Sequence, residues 1–386
     1  MNYKSIFNLL GILLGIFSLS FVPPIVLAFV YEESNKEIFL YSFIFFAVLG
    51  ASIWATTRQE HLPLNISDGF IITTLFWVVL ACAGSIPFYF FGLNISDAIF
   101  ESVSGITTTG ATTIVGLDNL PKSILLYRQL LQWIGGMGLI VLAVAVMPAL
   151  GIGGGQLYKM ELPGSHGNQK LTPKITDSAK ALWKIYVGLT LMCAILYLLS
   201  GMNLFDSIAH SLTTVAGGGF STHDESIGFF NSTSVEAVCI IFMLLSAASF
   251  AVHYAAIFGG KPLKYFYDSE FKFFLSVVLL IIIVSLIVHI ISSSFSDVFS
   301  LFSSTIFHVV SIVTTSGFTT ENFSLWPGFL PYLLLVGAFM GACSQSVGGG
   351  IKAWRVLIMI NQAYKEILKT IHPNAVHTSK IGTKVI

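Results

Sequence analysis

Apolar runs that are long enough to cross a lipid bilayer recur along almost the whole of this 386-residue chain. A hydropathy window of about 19 residues predicts a span in each of them. They lie at 6–31, 38–55, 70–91, 124–150, 182–199, 235–258, 273–291 and 329–371. Only 10% of the residues are charged, whereas a soluble domain carries about 25%. The sequence therefore predicts an all-α polytopic membrane protein and excludes a soluble fold.

The distribution of charge predicts how the chain is oriented. If the N-terminus is cytoplasmic, the outer segments keep only the bases Lys36, Lys122 and Arg128, together with most of the acids. Basic segments stay on the inner side, so we expect a multi-pass protein of the cytoplasmic membrane with a cytoplasmic N-terminus. The formal net charge is zero and no basic tract is present, which excludes nucleic acid as a partner. The four cysteines have no CxxC spacing and predict neither a disulfide nor a metal site.

Three segments between the spans resemble one another and indicate an internal repeat. Aligned on one glycine, they read FESVSGITTTGATT (100–113), AHSLTTVAGGGFST (209–222) and FHVVSIVTTSGFTT (307–320). The aligned glycines are Gly110, Gly219 and Gly317. Each unit contains two crossings, which give every copy the same orientation. The sequence therefore predicts repeated units of helix, re-entrant pore loop and helix around a central pore, preceded by two extra transmembrane helices.

The composition of these segments predicts their chemistry. Irregular backbone at membrane depth persists only where it lines a watery path or is buried in protein. The short helix before each glycine would direct the negative end of its dipole towards the same place. Rings of backbone carbonyls replace the water shell of a cation such as K+. The residues predicted to bind the ion are Thr107, Thr108, Thr109 and Gly110, then Ala216, Gly217, Gly218 and Gly219, and then Thr314, Thr315, Ser316 and Gly317.

Alternative interpretations remain open from the residues alone. The small residues could form ordinary helix contacts, and the chain could be an alternating-access secondary transporter of a small solute. Ser221 with His223 suggests an intramembrane hydrolase, although no third orienting group is evident. His210 and His308 occupy the same repeat position as Glu101. We expect them to be hydrogen-bonded behind the filter and not to bind a metal.

The motifs ITTTGAT, GGFST and VTTSGFTT resemble the filter loops of the Trk/Ktr/HKT cation transporters. Two further stretches, 132–164 and 343–355, are similar to the bacterial TrkH branch of that superfamily. The resemblance covers nearly the whole chain. It implies potassium uptake across the bacterial inner membrane, no enzymatic activity, no cofactor and no metal except the transported K+. It also implies a homodimer and a cytosolic nucleotide-binding regulatory subunit of the TrkA type.

The resemblance also predicts how the chain is divided. The expected parts are an N-terminal helix pair (1–66), pore repeat 1 (67–150), a cytoplasmic loop (151–177), pore repeat 2 (178–262), pore repeat 3 with a broken last helix (263–372) and a cytoplasmic tail (373–386). The family folds four such units around one pore. We therefore expect this chain to be a shortened form or a natural truncation that lacks the fourth repeat.

The last apolar run, 329–371, is about twice as long as a bilayer requires. It is predicted to break in GACSQSVGGG, where glycines and serines lower helix propensity. The resemblance implies an intramembrane gating loop below the filter, formed by Gly341, Cys343, Ser344, Gln345, Ser346, Gly348, Gly349 and Gly350. A passive kink is the alternative. The resemblance also implies that Arg128 braces the filter loops, whereas the residue alone could equally be a snorkelling interface arginine.

Overall fold

The computed structural model describes residues 3–58, 66–138, 175–292, 298–372, 380–381 and 384–385. The chain divides into two compact units, Met1–Phe242 and Met243–Ile386. Of the described residues, five helices are long and apolar enough to cross a membrane, or six if one sharply bent pair counts as a single span. This arrangement confirms the prediction of an all-α polytopic membrane protein.

The first unit begins with two closely packed helical spans. Its helices are α1 (Tyr3–Ser18), α2 (Val22–Val30), α3 (Lys36–Thr57), α4 (Ile66–Phe91), α5 (Ile95–Ile106), α6 (Lys122–Met137), α7 (Ile175–Leu199) and α8 (Leu204–Ala216), followed by most of α9 (Thr233–Ala247). Helices α1 and α3 meet at glycines, since a Cβ added to Gly50 would lie 2.7 Å from the carbonyl oxygen of Gly11. The N-terminal pair predicted from the sequence is therefore a tightly packed helix pair.

Helices α5 and α8 are the predicted pore helices of the first two repeats, and they start in the same way. The side chain of Asn94 accepts a hydrogen bond from the backbone N–H of Asp97 at 2.9 Å, and Asn203 accepts one from Asp206 at 2.9 Å. Such caps satisfy backbone donors that a helix start leaves unpaired. At about 1.5 Å per residue, helices of this length cover roughly 20 Å and cannot cross a bilayer core of about 30 Å.

The fourth predicted span, 124–150, is not one straight helix. Helix α6 ends at Met137, and Gly138 has a φ of 70° and a ψ of 116°, which no helix accommodates. Glycine has low helix propensity, and here it also permits close packing, since a Cβ on Gly135 would lie 1.9 Å from the carbonyl oxygen of Ile106. The remainder of that predicted span, and the cytoplasmic loop predicted at 151–177 up to residue 174, lie outside the described residues.

The second unit contains the end of α9 and the helices that follow. These are α10 (Phe250–Ile257), α11 (Lys264–Tyr267), α12 (Ser269–Ser292), α13 (Val298–Val313), α14 (Leu330–Met340) and α15 (Ala353–Ile371), with a short antiparallel pair formed by β1 (Lys380–Ile381) and β2 (Lys384–Val385). The sixth predicted span is wrong as a straight helix, because the chain bends by 103° between α9 and α10. Ser249 caps α10 at the bend, and its side chain accepts from the N–H of Ala251 at 3.3 Å.

The break predicted in the last apolar run is confirmed. Helix α14 ends at Met340, and α15 starts only at Ala353. Gly341, Gln345, Gly350 and Lys352 all have positive φ in between. Helix α15 is amphipathic, and Ala353 is its single buried residue.

Candidate functional site

The three pore loops leave their pore helices with one common backbone conformation. The residue two positions before each aligned glycine and the glycine itself both have positive φ. The φ values are 56° and 79° for Thr108 and Gly110, 65° and 75° for Gly217 and Gly219, and 63° and 85° for Thr315 and Gly317. A threonine in this region costs of order 1–3 kcal/mol and persists only where its surroundings enforce it. The internal repeat read from the sequence is therefore a repeat of structure.

Each pore helix ends with the same hydrogen bond. The N–H of Thr109 donates to the carbonyl of Ser104 at 2.9 Å, and the N–H of Ser316 donates to Ser311 at 2.9 Å. In the second repeat, Gly218 donates to Thr213 at 3.0 Å. The helices end at Ile106, Ala216 and Val313, so the helical pattern stops where the predicted carbonyl ring begins.

Hydroxyl groups clasp the first and third loops from within. Ser104 Oγ donates to the carbonyl of Ala111 at 2.5 Å, and Ser311 Oγ donates to the carbonyl of Phe318 at 2.6 Å. The equivalent residue of the second repeat is Thr213, whose buried hydroxyl has no hydrogen-bond partner among the residues that the structure describes. The second loop therefore needs support from elsewhere.

That support comes from Gln132 on α6. Its Nε2 donates to the carbonyl of Gly218 at 2.7 Å, and its Oε1 accepts from the N–H of Phe220 at 3.1 Å. Gln132 is fully buried. Of the residues predicted to bind the ion, Gly218 thus directs its carbonyl oxygen towards a side chain of α6. Nothing in the motif pattern indicated this contact, which joins residues 86 positions apart.

Arg128 lies at the centre of a buried network between the first two loops. Its Nε is 3.2 Å from Glu101 Oε2, and both side chains are fully buried. Its other nitrogens donate to the carbonyl of Ser221 at 3.2 Å and to Thr112 Oγ1 at 3.0 Å, and its guanidinium lies 4.2 Å from the ring centroid of Phe220. A snorkelling arginine would extend to the interface, whereas the structure places this one among the loops.

Glu101, His210 and His308 occupy the same position in the three repeats, and each contacts the segment that follows the aligned glycine. Glu101 Oε1 accepts from the N–H of Thr113 at 2.7 Å, and His308 Nε2 accepts from the N–H of Thr320 at 3.3 Å. His210 Nε2 faces Ser221 Oγ at 2.9 Å. Each histidine also has Nδ1 close to the carbonyl one turn before it, at 3.0 Å and 2.9 Å. That contact makes Nδ1 the donor and Nε2 the acceptor.

The expectation that these histidines are hydrogen-bonded is therefore confirmed. The hydrolase interpretation, Ser221 with His223, is wrong, because the hydroxyl of Ser221 faces His210 and only the backbone N–H of His223 reaches it. His210 is fully buried, so no substrate could approach the pair.

A second network, outside the spans, joins the segments that follow the first two filters. The carboxylate of Asp224 accepts from the N–H groups of Gly116 and Leu117, both at 3.0 Å. His223 lies between Asp118, which contacts Nδ1, and Asp206, whose Oδ2 is 3.3 Å from Nε2. Only a protonated imidazole donates through both nitrogens.

His223 and Asp118 shift each other's pKa. Burial by itself lowers the pKa of His223, but its hydrogen bonds to Asp206 and Asp118 outweigh burial, and the net pKa is raised. The hydrogen bond from His223 lowers the pKa of Asp118. The sequence did not predict this network, since the contacts that join its two segments connect residues more than 100 positions apart.

The predicted gating loop is a closed turn in contact with the third pore loop. Its ends meet, because the N–H of Ala342 donates to the carbonyl of Gly349 at 3.2 Å and that of Lys352 donates to Met340 at 3.0 Å. The N–H of Gly349 also donates to Thr315 Oγ1 at 2.6 Å. Thr315 belongs to the predicted filter, so the loop is in direct contact with a residue predicted to bind the ion.

The other loop residues are held by neighbours within the second unit. The N–H of Cys343 donates to Ala247 at 3.0 Å, and the carbonyl of Gln345 accepts from Phe250 at 2.9 Å. Ser346 Oγ donates back to the carbonyl of Cys343. Gly341 and Gly350 pack so tightly that a Cβ on Gly350 would lie 2.4 Å from the Gly341 Cα, and a Cβ on Gly348 would lie 2.9 Å from the Thr314 carbonyl. The N–H of Ser344 donates to Glu270 Oε1.

No group of three or more histidine, cysteine or acidic side chains that could hold a metal ion occurs in the described parts of the chain. The four cysteines are unpaired.

Comparisons with known proteins agree over almost the whole chain. Residues 35–386 match a family model described as "TrkH: Cation transport protein". A relative from Vibrio parahaemolyticus named "Trk system potassium uptake protein TrkH" is 45% identical, and the match covers 99% of this chain and 80% of the relative. The protein of the same name from Escherichia coli K12 is 43% identical over 100% of this chain and 80% of its own length. The crystal structure titled "Crystal Structure of the Potassium Transporter TrkH from Vibrio parahaemolyticus" matches with a TM-score of 0.89 at 43% identity, over 100% of this chain and 80% of that one.

Proposed function

Since the chain belongs to the TrkH family of cation transport proteins, we propose that it takes up potassium across the membrane through a channel-like pore with backbone-carbonyl filter loops. Its relatives are potassium uptake proteins at 42–46% identity, and it is not an enzyme. K+ is the transported ion, and the proposal includes no cofactor.

The common backbone of the three loops is the observation that carries the filter proposal. Alternating positive φ at Thr108 and Gly110, and at their equivalents in the other repeats, turns successive peptide groups away from helical pairing. Carbonyls freed in this way can replace the hydration shell of a monovalent cation. An inside-negative membrane potential would drive uptake, at about 2.3 kcal/mol per charge per 100 mV.

The loop between α14 and α15 is the proposed gate. It touches the filter through Gly349 and Thr315, and its ends are bonded to each other, so the segment between them can move without unwinding either helix. Such a two-state element could be biased by a regulatory subunit. We propose a cytosolic nucleotide-binding subunit of the TrkA type, since the relatives are named as parts of a Trk system.

The same family membership supports the proposed setting. We propose a homodimer in the bacterial cytoplasmic membrane with the N-terminus in the cytoplasm, in agreement with the distribution of basic residues along the sequence.

An alternating-access carrier is the competing function. Carriers commonly place ionisable side chains at the substrate site near mid-membrane. Here the buried pair Glu101 and Arg128 is fully used in bracing the first two loops, and the residues at the filter are threonine, serine, alanine and glycine. The arrangement favours a channel-like pore.

Ion flux into proteoliposomes tests the proposal. We expect K+ uptake to be driven by an imposed inside-negative potential. Added Na+ should inhibit this uptake only weakly. Trans K+ should not accelerate uptake, because a channel-like pore has no return step of an empty carrier. Acceleration by trans K+ would favour the carrier, and the absence of any K+ uptake by folded protein would contradict the proposal.

A further inference from the structure

Glu270 joins three separate parts of the second unit. It is the second residue of α12, and its Oε1 accepts from the backbone N–H of Ser344 in the intramembrane loop. The same oxygen accepts from the N–H of Trp354 at 3.1 Å. These partners are 74 and 84 positions away along the chain. One carboxylate oxygen thus holds both the loop and the start of the helix that follows it.

The contact at Trp354 is a helix cap supplied by a different helix. The residue preceding α15 is Lys352, which gives no side-chain cap. The first N–H groups of a helix have no partner within it, and a negative charge at that end interacts favourably with the helix dipole. Glu270 supplies both the acceptor and the charge.

Lys352 Nζ donates to the carbonyl of Gly348 within this segment of the chain, whereas three contacts that join the loop to its neighbours involve neutral groups. Gly349 donates to the neutral hydroxyl of Thr315, and Cys343 and Gln345 pair with backbone groups of Ala247 and Phe250. Hydrogen bonds to a charged acceptor are roughly twice as strong as neutral ones. The two bonds to Glu270 are therefore the strongest individual attachments among these contacts.

We propose that Glu270 is the latch that holds the intramembrane loop beneath the third pore loop, so that the loop leaves this position only when the two hydrogen bonds to Glu270 break. The inference rests on the proposed function, in which this loop is the gate. Glu270 is a positioning residue, since it acts on permeation through the loop.

Cys343 offers a direct report of loop position. It is fully buried and precedes Ser344 in the loop. With Cys82, Cys193 and Cys239 replaced by alanine, the rate at which a maleimide labels Cys343 measures how often the loop is released. The full chain in lipid nanodiscs serves for labelling, and the same protein in proteoliposomes serves for K+ flux per folded molecule.

The test compares Glu270→Gln with Asp268→Asn. The first change keeps the size of the side chain and removes the charge. The second is the same chemical change two residues earlier, where the side chain of Asp268 accepts from the nearby N–H of Phe271 at 3.0 Å. We expect E270Q to label Cys343 about tenfold faster, since a charged acceptor becomes neutral, and to raise K+ flux per folded molecule. D268N should leave both rates at the wild-type level.

The outcomes separate this inference from the proposed function. Faster labelling with higher flux supports both the latch and the gate. Faster labelling with unchanged flux supports the latch and removes the assignment of the loop as the gate. Labelling at the wild-type rate overturns the latch, whatever the flux.

A second variant decides the matter if E270Q does not fold. Glu270→Asp keeps the charge and withdraws the carboxylate from both N–H groups, so faster labelling is expected there too. Wild-type labelling of Cys343 in every variant that folds overturns the proposal, and so does equally fast labelling in D268N.

Discussion

The first and third pore loops have nearly the same backbone but different supports. Thr108 and Thr315 share a left-handed conformation, and a serine clasps each loop in the same way. Behind the first loop lies a buried ion pair, Glu101 with Arg128. Behind the third lies a histidine, His308, whose ring is bonded to backbone groups. The conformation of the loop is therefore the shared requirement, and the chemistry that enforces it differs.

The difference extends to what each loop contacts next. The Glu101–Arg128 pair also reaches the second loop through the carbonyl of Ser221, which ties two filter loops into one network. In the third loop, Thr315 Oγ1 instead accepts from the N–H of Gly349 in the intramembrane loop. The same hydroxyl donates to the carbonyl of Thr314. We interpret the first region as a fixed scaffold and the third as the part of the filter that a movable element can reach.

The largest expected effect tests the difference in support. Arg128→Met leaves the carboxylate of Glu101 buried without its counter-charge, which costs about 3–5 kcal/mol. His308→Gln replaces a neutral group and removes one set of neutral bonds, at about 1–3 kcal/mol. Thermal unfolding and folded yield in detergent measure both. Equal losses for the two variants would contradict the view that charge supports only the first loop.

The next effect tests the shared backbone. Gly110→Ala and Gly317→Ala each place a side chain at positive φ, at about 1–2 kcal/mol. A Cβ at Gly110 would also lie 2.0 Å from the carbonyl oxygen of Gly218, whereas none of the described atoms is within 4 Å of one at Gly317. We expect both variants to lower K+/Na+ selectivity more than expression, with the larger change for G110A. Selectivity that is unchanged in both would remove these loops as the filter.

A smaller effect tests the movable element at the third loop. Deletion of 343–349 should be tolerated, because the N–H of Ala342 already lies 3.2 Å from the carbonyl oxygen of Gly349. We expect higher K+ flux per folded molecule and unchanged ion preference, since the deletion leaves the three filter loops intact. Flux no higher than wild type would show that the loop is a passive kink.

The smallest effect concerns the network between the first two loops and its dependence on pH. The pKa of His223 is raised in the folded protein, so its stabilising contribution is complete below its ordinary pKa of about 6.5 and is lost as pH rises through the raised value. The pKa of Asp118 is lowered, so its contribution is present above about pH 4 and is lost as pH falls through the lowered value.

Thermal unfolding at about pH 6 and about pH 9 measures this dependence. The wild type should lose stability between these values, and His223→Gln should lose less. His372→Gln, a change at an exposed histidine after α15, is the control and should behave as the wild type. An equal loss in H223Q and wild type would show that His223 does not carry the dependence.

The sequence by itself determined the membrane architecture and the three pore loops. Hydropathy acts over about 20 neighbouring residues, so most spans were predictable from local composition. The aligned glycines predicted the loops because a positive φ is a local backbone requirement, and the structure has it at Gly110, Gly219 and Gly317. The break after Met340 was predictable for the same reason, since glycine lowers helix propensity wherever it lies.

Local patterns failed where a contact between distant residues decided the outcome. The bend before Phe250 was not predicted. At this bend, the backbone N–H of Phe250 donates to the carbonyl of Gln345. The early end of α6 was also missed. There, a Cβ on Gly135 would lie 1.9 Å from the carbonyl oxygen of Ile106, so the pore helix packs directly on the glycines.

Only the tertiary structure decided which side chains hold the loops. Gln132 is bonded to Gly218, 86 positions away, and Glu270 is bonded to Ser344, 74 positions away. Nothing in the sequence around a glutamine or a glutamate distinguishes these partners from any other backbone group. A buried polar group must find a partner, but the identity of that partner depends on which segments the packed helices bring together, and that is a property of the fold.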